Sequence, residues 1–149
     1  LLSSLEADRV YVGRFHNGGS YRYGVDIRKF SITNEAFSDA MDHLIAPLFR
    51  ERLMSEFTNL FRPLIFTGLV EIKAETEHTD KAVQKYLEAI GGKSAYIYII
   101  KGVDDRPLAF LGIHFDELIN LSPDKKENIY TFSQTLIPFL AESKKKKLS

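Results

Sequence analysis

The amino-acid sequence predicts an α+β domain with a central antiparallel β-sheet. Residues 94–100 form a nearly continuous run of β-favouring residues, which is typical of a strand covered on both faces. A turn containing Gly and Pro follows, and residues 108–115 return as a second such run, so the two runs predict a hairpin. Helical spacing of apolar residues at 81–90 and 124–142 adds two helices and gives the mixed class.

The first third of the chain predicts two further strands joined by a loop. Residues 9–15 favour a strand because their valines and aromatic residues suit a pleated, partly buried surface. Residues 16–24 are expected to form a turn and loop, since an Asn-Gly pair tolerates positive backbone φ. Alternating polar and apolar residues at 28–33 predict the second strand.

The middle of the chain is expected to be mainly helical. Ser38 is a suitable N-cap for one or two helices over residues 39–57, which Pro47 interrupts. Pro63 is expected to end or kink this region. A short apolar run at 69–72 then predicts another strand.

The two later helices carry start and stop signals. Thr79 or Asp80 caps the first helix, and a Gly-Gly pair stops it. Ser122 caps the second helix, and Pro138 is expected to kink its end. The expected inward face of the second helix consists of Ile129, Phe132, Leu136 and Phe139.

Composition limits the possible functions and the number of domains. Twenty basic residues balance twenty acidic ones, so no global field attracts nucleic acid, and the absence of cysteine excludes disulfides and thiolate sites. No apolar run reaches the roughly 18 residues of a membrane-spanning helix, and we expect a cytoplasmic protein.

Because 149 residues suffice for one core, residues 1–143 are expected to form one domain, followed by a disordered basic tail at 144–149. The tail contains Lys144, Lys145, Lys146 and Lys147, for which we expect weak contact with an anionic surface and no specific nucleic-acid recognition.

The sequence holds no recognisable catalytic or metal-binding constellation. The histidines are His16, His43, His78 and His114. They lie in different segments without His-x-x-x-His spacing, so no metal site is expected. Three alternating glutamates at 71, 75 and 77 are interpreted as a solvated strand edge rather than as acid–base groups. Without a nucleophile elbow, a phosphate-binding loop or a dinucleotide fingerprint, we expect the protein not to be an enzyme.

One segment carries a family resemblance. Residues 7–19 open with Ala-Asp-Arg, continue as a β-patterned run and end at Phe-His-Asn-Gly, which resembles the first strand and turn of a GAF-type sensor domain. The order of elements along nearly the whole chain is also similar to that of GAF and PAS-like sensors. The resemblance implies a sheet with the terminal helices on one face, and with loops and short helices closing over a small-molecule pocket on the other. It also implies a homodimer formed through the terminal helices.

The same resemblance places the pocket between the loop at 15–23, the strand that contains Phe30, and the region at 57–66. The candidate ligand contacts are Phe15, His16, Tyr21, Tyr23 and Phe30. Two alternatives stay open at this point. His16 could tie its own loop to a neighbouring strand, and the two tyrosines could pack within the loop instead of offering aromatic faces to a planar ligand.

The ligand and any cofactor are unknown. The sequence lacks the Asn-Lys-Phe-Asp-Glu signature of cyclic-nucleotide-binding GAF domains, and it lacks the cysteine that anchors a bilin. One hypothesis is a sensory module that binds a small molecule. The second is a degenerate GAF-like domain that fills its pocket with its own side chains, among them Phe57, Phe61 and Phe66, and works by dimerising or docking a partner. A third and remote hypothesis is an enzyme whose site is visible only in space. Because the chain begins with Leu, a membrane anchor or another domain upstream is also considered.

Overall fold

The computed structural model describes residues 5–16, 29–39, 41, 43–74, 80–102 and 105–140. The strands are β1 (Arg9–His16), β2 (Lys29–Phe37), β3 (Arg52–Leu53), β4 (Leu69–Lys73), β5 (Ser94–Lys101) and β6 (Pro107–Phe115). The α-helices are α1 (Thr58–Thr67), α2 (Lys81–Ile90) and α3 (Pro123–Thr135), and short 3-10 helices lie at Ala46–Leu48 and Met54–Phe57. The six strands form one antiparallel sheet in the order β3-β2-β1-β6-β5-β4.

The sheet separates two hydrophobic cores. All residues of β5 except the last are buried, which confirms that this strand is covered on both faces. Side chains alternate between the faces, so Ala95 and Ile97 join the core beneath α1 and α2, while Tyr96 and Tyr98 join the core beneath α3. The predicted α+β class, with a terminal helix on one face and short helices on the other, is therefore confirmed.

Elements with a clear local pattern form where the sequence predicts them. Strands β1, β4, β5 and β6 and helix α2 agree with prediction to within one residue at each end. At the start of α2, the Asp80 carboxylate accepts a hydrogen bond from the Ala82 backbone N–H. At its end, Gly91 adopts φ of 98°, a conformation that glycine reaches at little cost.

The predicted helices over residues 39–57 are wrong. In the described part of this stretch the chain forms only 3-10 helices and the two-residue strand β3. The Glu35 carboxylate accepts the backbone N–H groups of Ile45 and Ala46, and the Phe49 carbonyl accepts from the Ile32 N–H. These contacts to β2 use groups that a regular helix would need for itself, and Pro47 removes a further donor.

Strand β2 is longer than predicted for a related reason. It continues to Phe37, which lies opposite Arg9 in the register with β1. Ser38, the expected N-cap, instead donates from its hydroxyl to the Asp8 carboxylate. Pairing with β1 therefore extends the strand through residues whose local pattern is not that of a strand.

Two prolines affect the helices differently. Helix α1 continues through Pro63 and ends at Gly68, so the helix does not end at the proline. Leu60, Phe61 and Leu64 are buried on this helix, and their packing offsets the cost of the proline. Helix α3 ends at Thr135, before Pro138, and a separate helical turn follows.

The inward face predicted for the closing helix is partly correct. Ile129 is buried, and Phe132 and Leu136 pack against the core beneath α3. Phe139 is 69% exposed, so its predicted inward position is wrong. The break after Thr135 changes the helical phase, which explains why spacing along one uninterrupted helix misplaces this side chain.

Several predictions lie outside the described residues. They are residues 17–24 of the predicted loop, with Tyr21 and Tyr23, and the basic tail at 144–149. Among the residues that the structure describes, no helix is both long and apolar enough to cross a membrane.

Candidate functional site

The face of the sheet that carries α1 and α2 holds a tightly packed aromatic cluster. We use this name for Phe15, Phe30, Phe49, Phe57, Phe61 and Phe110. Phe30 is at its centre, with ring centroids of Phe61 at 4.7 Å and of Phe110 at 5.8 Å. Tilted and edge-to-face contacts at these distances stabilise the cluster beyond the burial of area alone.

Two of the predicted ligand contacts belong to this cluster. Phe15 and Phe30 lie opposite each other in the β1–β2 register, and both are buried. The loop that connects these strands carries Tyr21 and Tyr23, which lie outside the described residues. The structure thus brings Phe15 and Phe30 together at the adjoining ends of β1 and β2.

His16 lies on the opposite face of the sheet from Phe15, because consecutive residues of a strand alternate. Its Nε2 is 2.9 Å from Ser31 Oγ, and the Glu51 backbone N–H donates to the same oxygen at 2.8 Å. His16 therefore links β1 to β2, as the structural alternative for this residue predicts. As the last residue of β1, it also stands where the loop at 17–28 begins.

Glycines allow the rings to lie close to the sheet. Gly13 is paired with Phe110, and Gly112 is paired with Tyr11. A Cβ atom added at Gly13 would lie 2.1 Å from the Phe110 ring, and one at Gly112 would lie 2.1 Å from the Tyr11 ring. Each ring therefore fills the space that a side chain at the paired glycine would otherwise occupy.

The phenylalanines of α1 differ in their positions. Phe61 is buried in the aromatic cluster, as is Phe57 just before the helix. Phe66 is 82% exposed, so the expectation that it helps to fill the pocket is wrong. Phe66 lies five residues after Phe61, a spacing that brings it to another side of the helix.

A chain of buried polar groups borders the aromatic cluster. The hydroxyl of Tyr11 is 2.7 Å from that of Tyr86 and 2.8 Å from Nε2 of His114, and Nδ1 of His114 is 2.9 Å from the Gly91 carbonyl oxygen. The carbonyl can only accept, so in the neutral ring Nδ1 carries the proton and Nε2 accepts from Tyr11. Tyr11 in turn accepts from Tyr86. We call these three side chains the polar chain.

Burial keeps the polar chain uncharged. Desolvation raises the pKa of both Tyr11 and Tyr86, so the phenols stay protonated. Desolvation also lowers the pKa of His114 to about 4, so its ring is neutral at pH 7. No sequence motif marks this group, although the period of two places Tyr11 on the same face of β1 as Gly13 and Phe15.

A buried ion pair holds the 43–46 segment against the sheet. The Arg9 guanidinium donates to the Glu35 carboxylate and to the His43 carbonyl, each at 2.9 Å. It also lies 5.0 Å from the centroid of the Phe37 ring. Glu35 also accepts from Ile45 and Ala46, so this pair of opposite charges connects β1, β2 and the 43–46 segment.

No metal centre is found in the described ranges, where no group of three or more His, Asp or Glu side chains could hold a metal ion.

A surface cleft of about 600 Å³ separates α2 from the Met54–Phe57 turn. Its lining residues are Phe49, Arg52, Glu56, Phe57, Lys81, Ala82, Lys85 and Ala89. We call it the basic cleft. The cleft has no sequence signature, because its cationic residues come from two elements about thirty positions apart. Only the tertiary structure brings these elements together.

Comparisons with known proteins identify the fold. No family model matches the sequence, and no curated protein matches it. Among solved structures, a GAF domain from Synechocystis in its photoproduct state is similar with a TM-score of 0.72 and 12% identity, over 99% of this chain and 91% of that one. The phycocyanobilin-bound GAF domain of a cyanobacterial phytochrome gives a TM-score of 0.70 and 19% identity, over 95% of this chain and 79% of that one.

A bacterial signalling protein gives the same result. The GAF domain of a two-component sensor histidine kinase from Bacillus halodurans has a TM-score of 0.69 and 12% identity, and covers 96% of this chain and 90% of that one. Identities this low establish the fold alone. The chain therefore has a GAF-like fold.

Proposed function

We propose that this chain is a non-enzymatic sensory module that binds a small molecule between the aromatic cluster and the β1–β2 loop. The observation that supports this most is the GAF-like fold, shared with domains described as phycocyanobilin-bound and phycoerythrobilin-bound. In this chain, the buried rings of Phe15 and Phe30 lie at the adjoining ends of β1 and β2, next to the segment that the family resemblance assigns to the pocket wall.

In the proposed site, aromatic side chains would lie on two sides of the ligand. Phe15 and Phe30 would form its buried side, and His16 is the last described residue before the segment that carries Tyr21 and Tyr23, for which we propose ligand contact. Flat rings on two sides favour a planar, largely apolar ligand, with the tyrosine hydroxyls left to bind its polar atoms. Because the chain has no cysteine, the ligand would be held without a thioether bond.

Thermal-shift screening with planar metabolites and nucleotides tests the proposal. A ligand that raises the melting temperature of the wild-type chain should have no such effect on Tyr21→Ala, and a reduced effect on His16→Ala. Tyr130→Ala serves as the matched control, because Tyr130 is a tyrosine of α3 with 54% exposure, on the other side of the sheet. Equal ligand shifts in Tyr21→Ala and in the wild type would place the site elsewhere.

A second function is favoured by one specific observation. Phe30 and Phe110 are fully buried, so side chains of the aromatic cluster fill this side of the sheet. A domain filled in this way would act by association, and Tyr130 on α3 and Phe139 just after it, which are 54% and 69% exposed, would supply the apolar surface.

Sedimentation velocity across a range of protein concentrations tests this second function. A homodimer formed through α3 and the helical turn after it should dissociate in Phe139→Ser, whereas Phe66→Ser, which changes an even more exposed phenylalanine on α1, should leave it intact. A chain that stays monomeric at every concentration would argue against homodimerisation.

A further inference from the structure

The two sides of the basic cleft carry different kinds of cationic group. On one side, Arg52 is fixed, because its Nε donates to Glu56 at 2.9 Å and its Nη1 donates to the Leu48 carbonyl at 2.9 Å. Its guanidinium carbon lies 5.5 Å from the ring centroids of both Phe49 and Phe57. Four contacts therefore hold this cation in one orientation before any ligand arrives.

The opposite wall carries uncompensated charge. Lys81 and Lys85 are one helical turn apart on α2 and both are exposed. Neither ammonium group has an ion-pair or hydrogen-bond partner in the described part of the chain. Since Glu56 already neutralises Arg52, the described lining residues give the cleft two net positive charges in a chain whose overall net charge is zero.

We propose that the basic cleft binds a small organic dianion, either a phosphomonoester or a dicarboxylate. The two free ammonium groups match two negative charges, and Arg52 keeps Nη2 available for a planar anionic group. Ala82 and Ala89 line the cleft beside the two lysines and offer apolar contact to the body of the ligand. The volume of about 600 Å³ lies in the range of small-molecule sites.

The basic cleft is separate from the proposed pocket at Phe15 and Phe30, but rings of the aromatic cluster border both sites. Phe49 and Phe57 line the cleft, and their centroids lie 6.0 Å and 5.8 Å from that of Phe30. A ligand in the cleft would therefore contact rings that pack directly against Phe30.

Isothermal titration calorimetry at low salt tests the proposal with phenyl phosphate and phthalate, which combine an aromatic ring with the two kinds of dianion. The wild-type chain should bind at least one of them at a 1:1 ratio, and the tighter probe identifies the anion class. In Lys81→Gln/Lys85→Gln, Kd should rise roughly tenfold, as expected from the loss of two exposed ion pairs.

The matched control removes two positive charges at positions outside the cleft. Lys93→Gln/Lys125→Gln changes two exposed lysines that do not line the cleft, and it should leave Kd within about twofold of the wild type. Saturable binding to neither probe would overturn the proposal. An equal loss of affinity in the two double variants would overturn it as well, because it would show attraction by net charge and not by this site.

Discussion

Tyr11 shows how a single polar atom is accommodated inside an apolar core. Its ring packs against Phe110 with centroids 6.2 Å apart, and its hydroxyl lies between Tyr86 and His114. A buried hydroxyl costs free energy unless it is bonded, and here it both donates and accepts. The same three side chains join β1, β6 and α2, so a local hydrogen-bond requirement also fixes how three elements meet.

Replacing Tyr11 with Phe should reduce the free energy of unfolding by about 2 kcal/mol, because it leaves His114 Nε2 without a donor and Tyr86 without an acceptor. Tyr86→Phe should cost less, about 1 kcal/mol, because it removes only one donor from the end of the polar chain. Urea denaturation of both variants measures the difference. A Tyr86→Phe variant as unstable as Tyr11→Phe would contradict the assigned direction of the hydrogen bonds.

His114 should make stability depend on pH. Its pKa is about 4 in the folded chain and ordinarily 6.5, so between these values the unfolded chain binds more protons than the folded one. Stability is therefore highest above pH 6.5 and falls as the pH drops towards 4, by up to about 3 kcal/mol. Below pH 4 this group contributes no further loss, since both states are then protonated.

Unfolding of the wild type and of His114→Gln at several pH values checks this expectation. Glutamine can donate and accept but does not titrate, so the variant should lose less stability than the wild type between pH 6.5 and 4.5. NMR titration of the wild-type chain gives a second measure, since the His114 ring signals should not shift above about pH 5. A ring that titrates near pH 6.5 would refute the buried, neutral assignment.

At the scale of elements, β1 and β6 fit together through paired glycines and aromatic rings. Gly112→Ala should destabilise the chain by about 2 kcal/mol or more, because its Cβ would overlap the Tyr11 ring. Gly68→Ala provides the comparison: there the nearest atom is 3.7 Å away and only the φ of 89° is unfavourable, so a cost nearer 1 kcal/mol is expected. Thermal unfolding ranks the two variants, and the reverse order would contradict the packing described here.

The elements also show what could be predicted from sequence. The strand at 94–100 and the helix at 81–90 were predictable because period, caps and stop signals agree within each segment. The stretch at 39–57 was not, because its conformation depends on contacts from β2, above all those of Glu35. Local apolar spacing there suggests helices, and tertiary hydrogen bonds override it.

For the whole molecule, sequence pattern predicts which strands lie side by side more readily than which side chains meet in space. Phe15 and Phe30 could be assigned to one region because a turn joins their strands, and the structure pairs them. The partner of His16 could not be foreseen, since Ser31 reaches it only in the observed register. The basic cleft and the polar chain likewise depend on contacts between distant segments.

The molecule as a whole thus combines a GAF-like sheet with two proposed ligand sites on opposite sides of one aromatic cluster. When both sites are occupied at the same time, the rings of Phe49 and Phe57, which contact Phe30, provide a physical route by which one ligand affects the binding of the other. Binding phenyl phosphate or phthalate should then change the affinity for a ligand beneath the loop, by the same factor in each direction. Titrations of one ligand at fixed concentrations of the other measure this factor, and a value of one would show that the sites are independent.

The most direct measurement of the central claim is a calorimetric titration of the strongest thermal-shift compound into three chains: wild type, Tyr21→Ala and Lys81→Gln/Lys85→Gln. We predict 1:1 binding to the wild type, a Kd at least tenfold weaker in Tyr21→Ala, and an unchanged Kd in the lysine variant. An unchanged Kd in Tyr21→Ala, or the absence of binding by every compound screened, would contradict the claim that this GAF-like domain holds a small molecule beneath its β1–β2 loop.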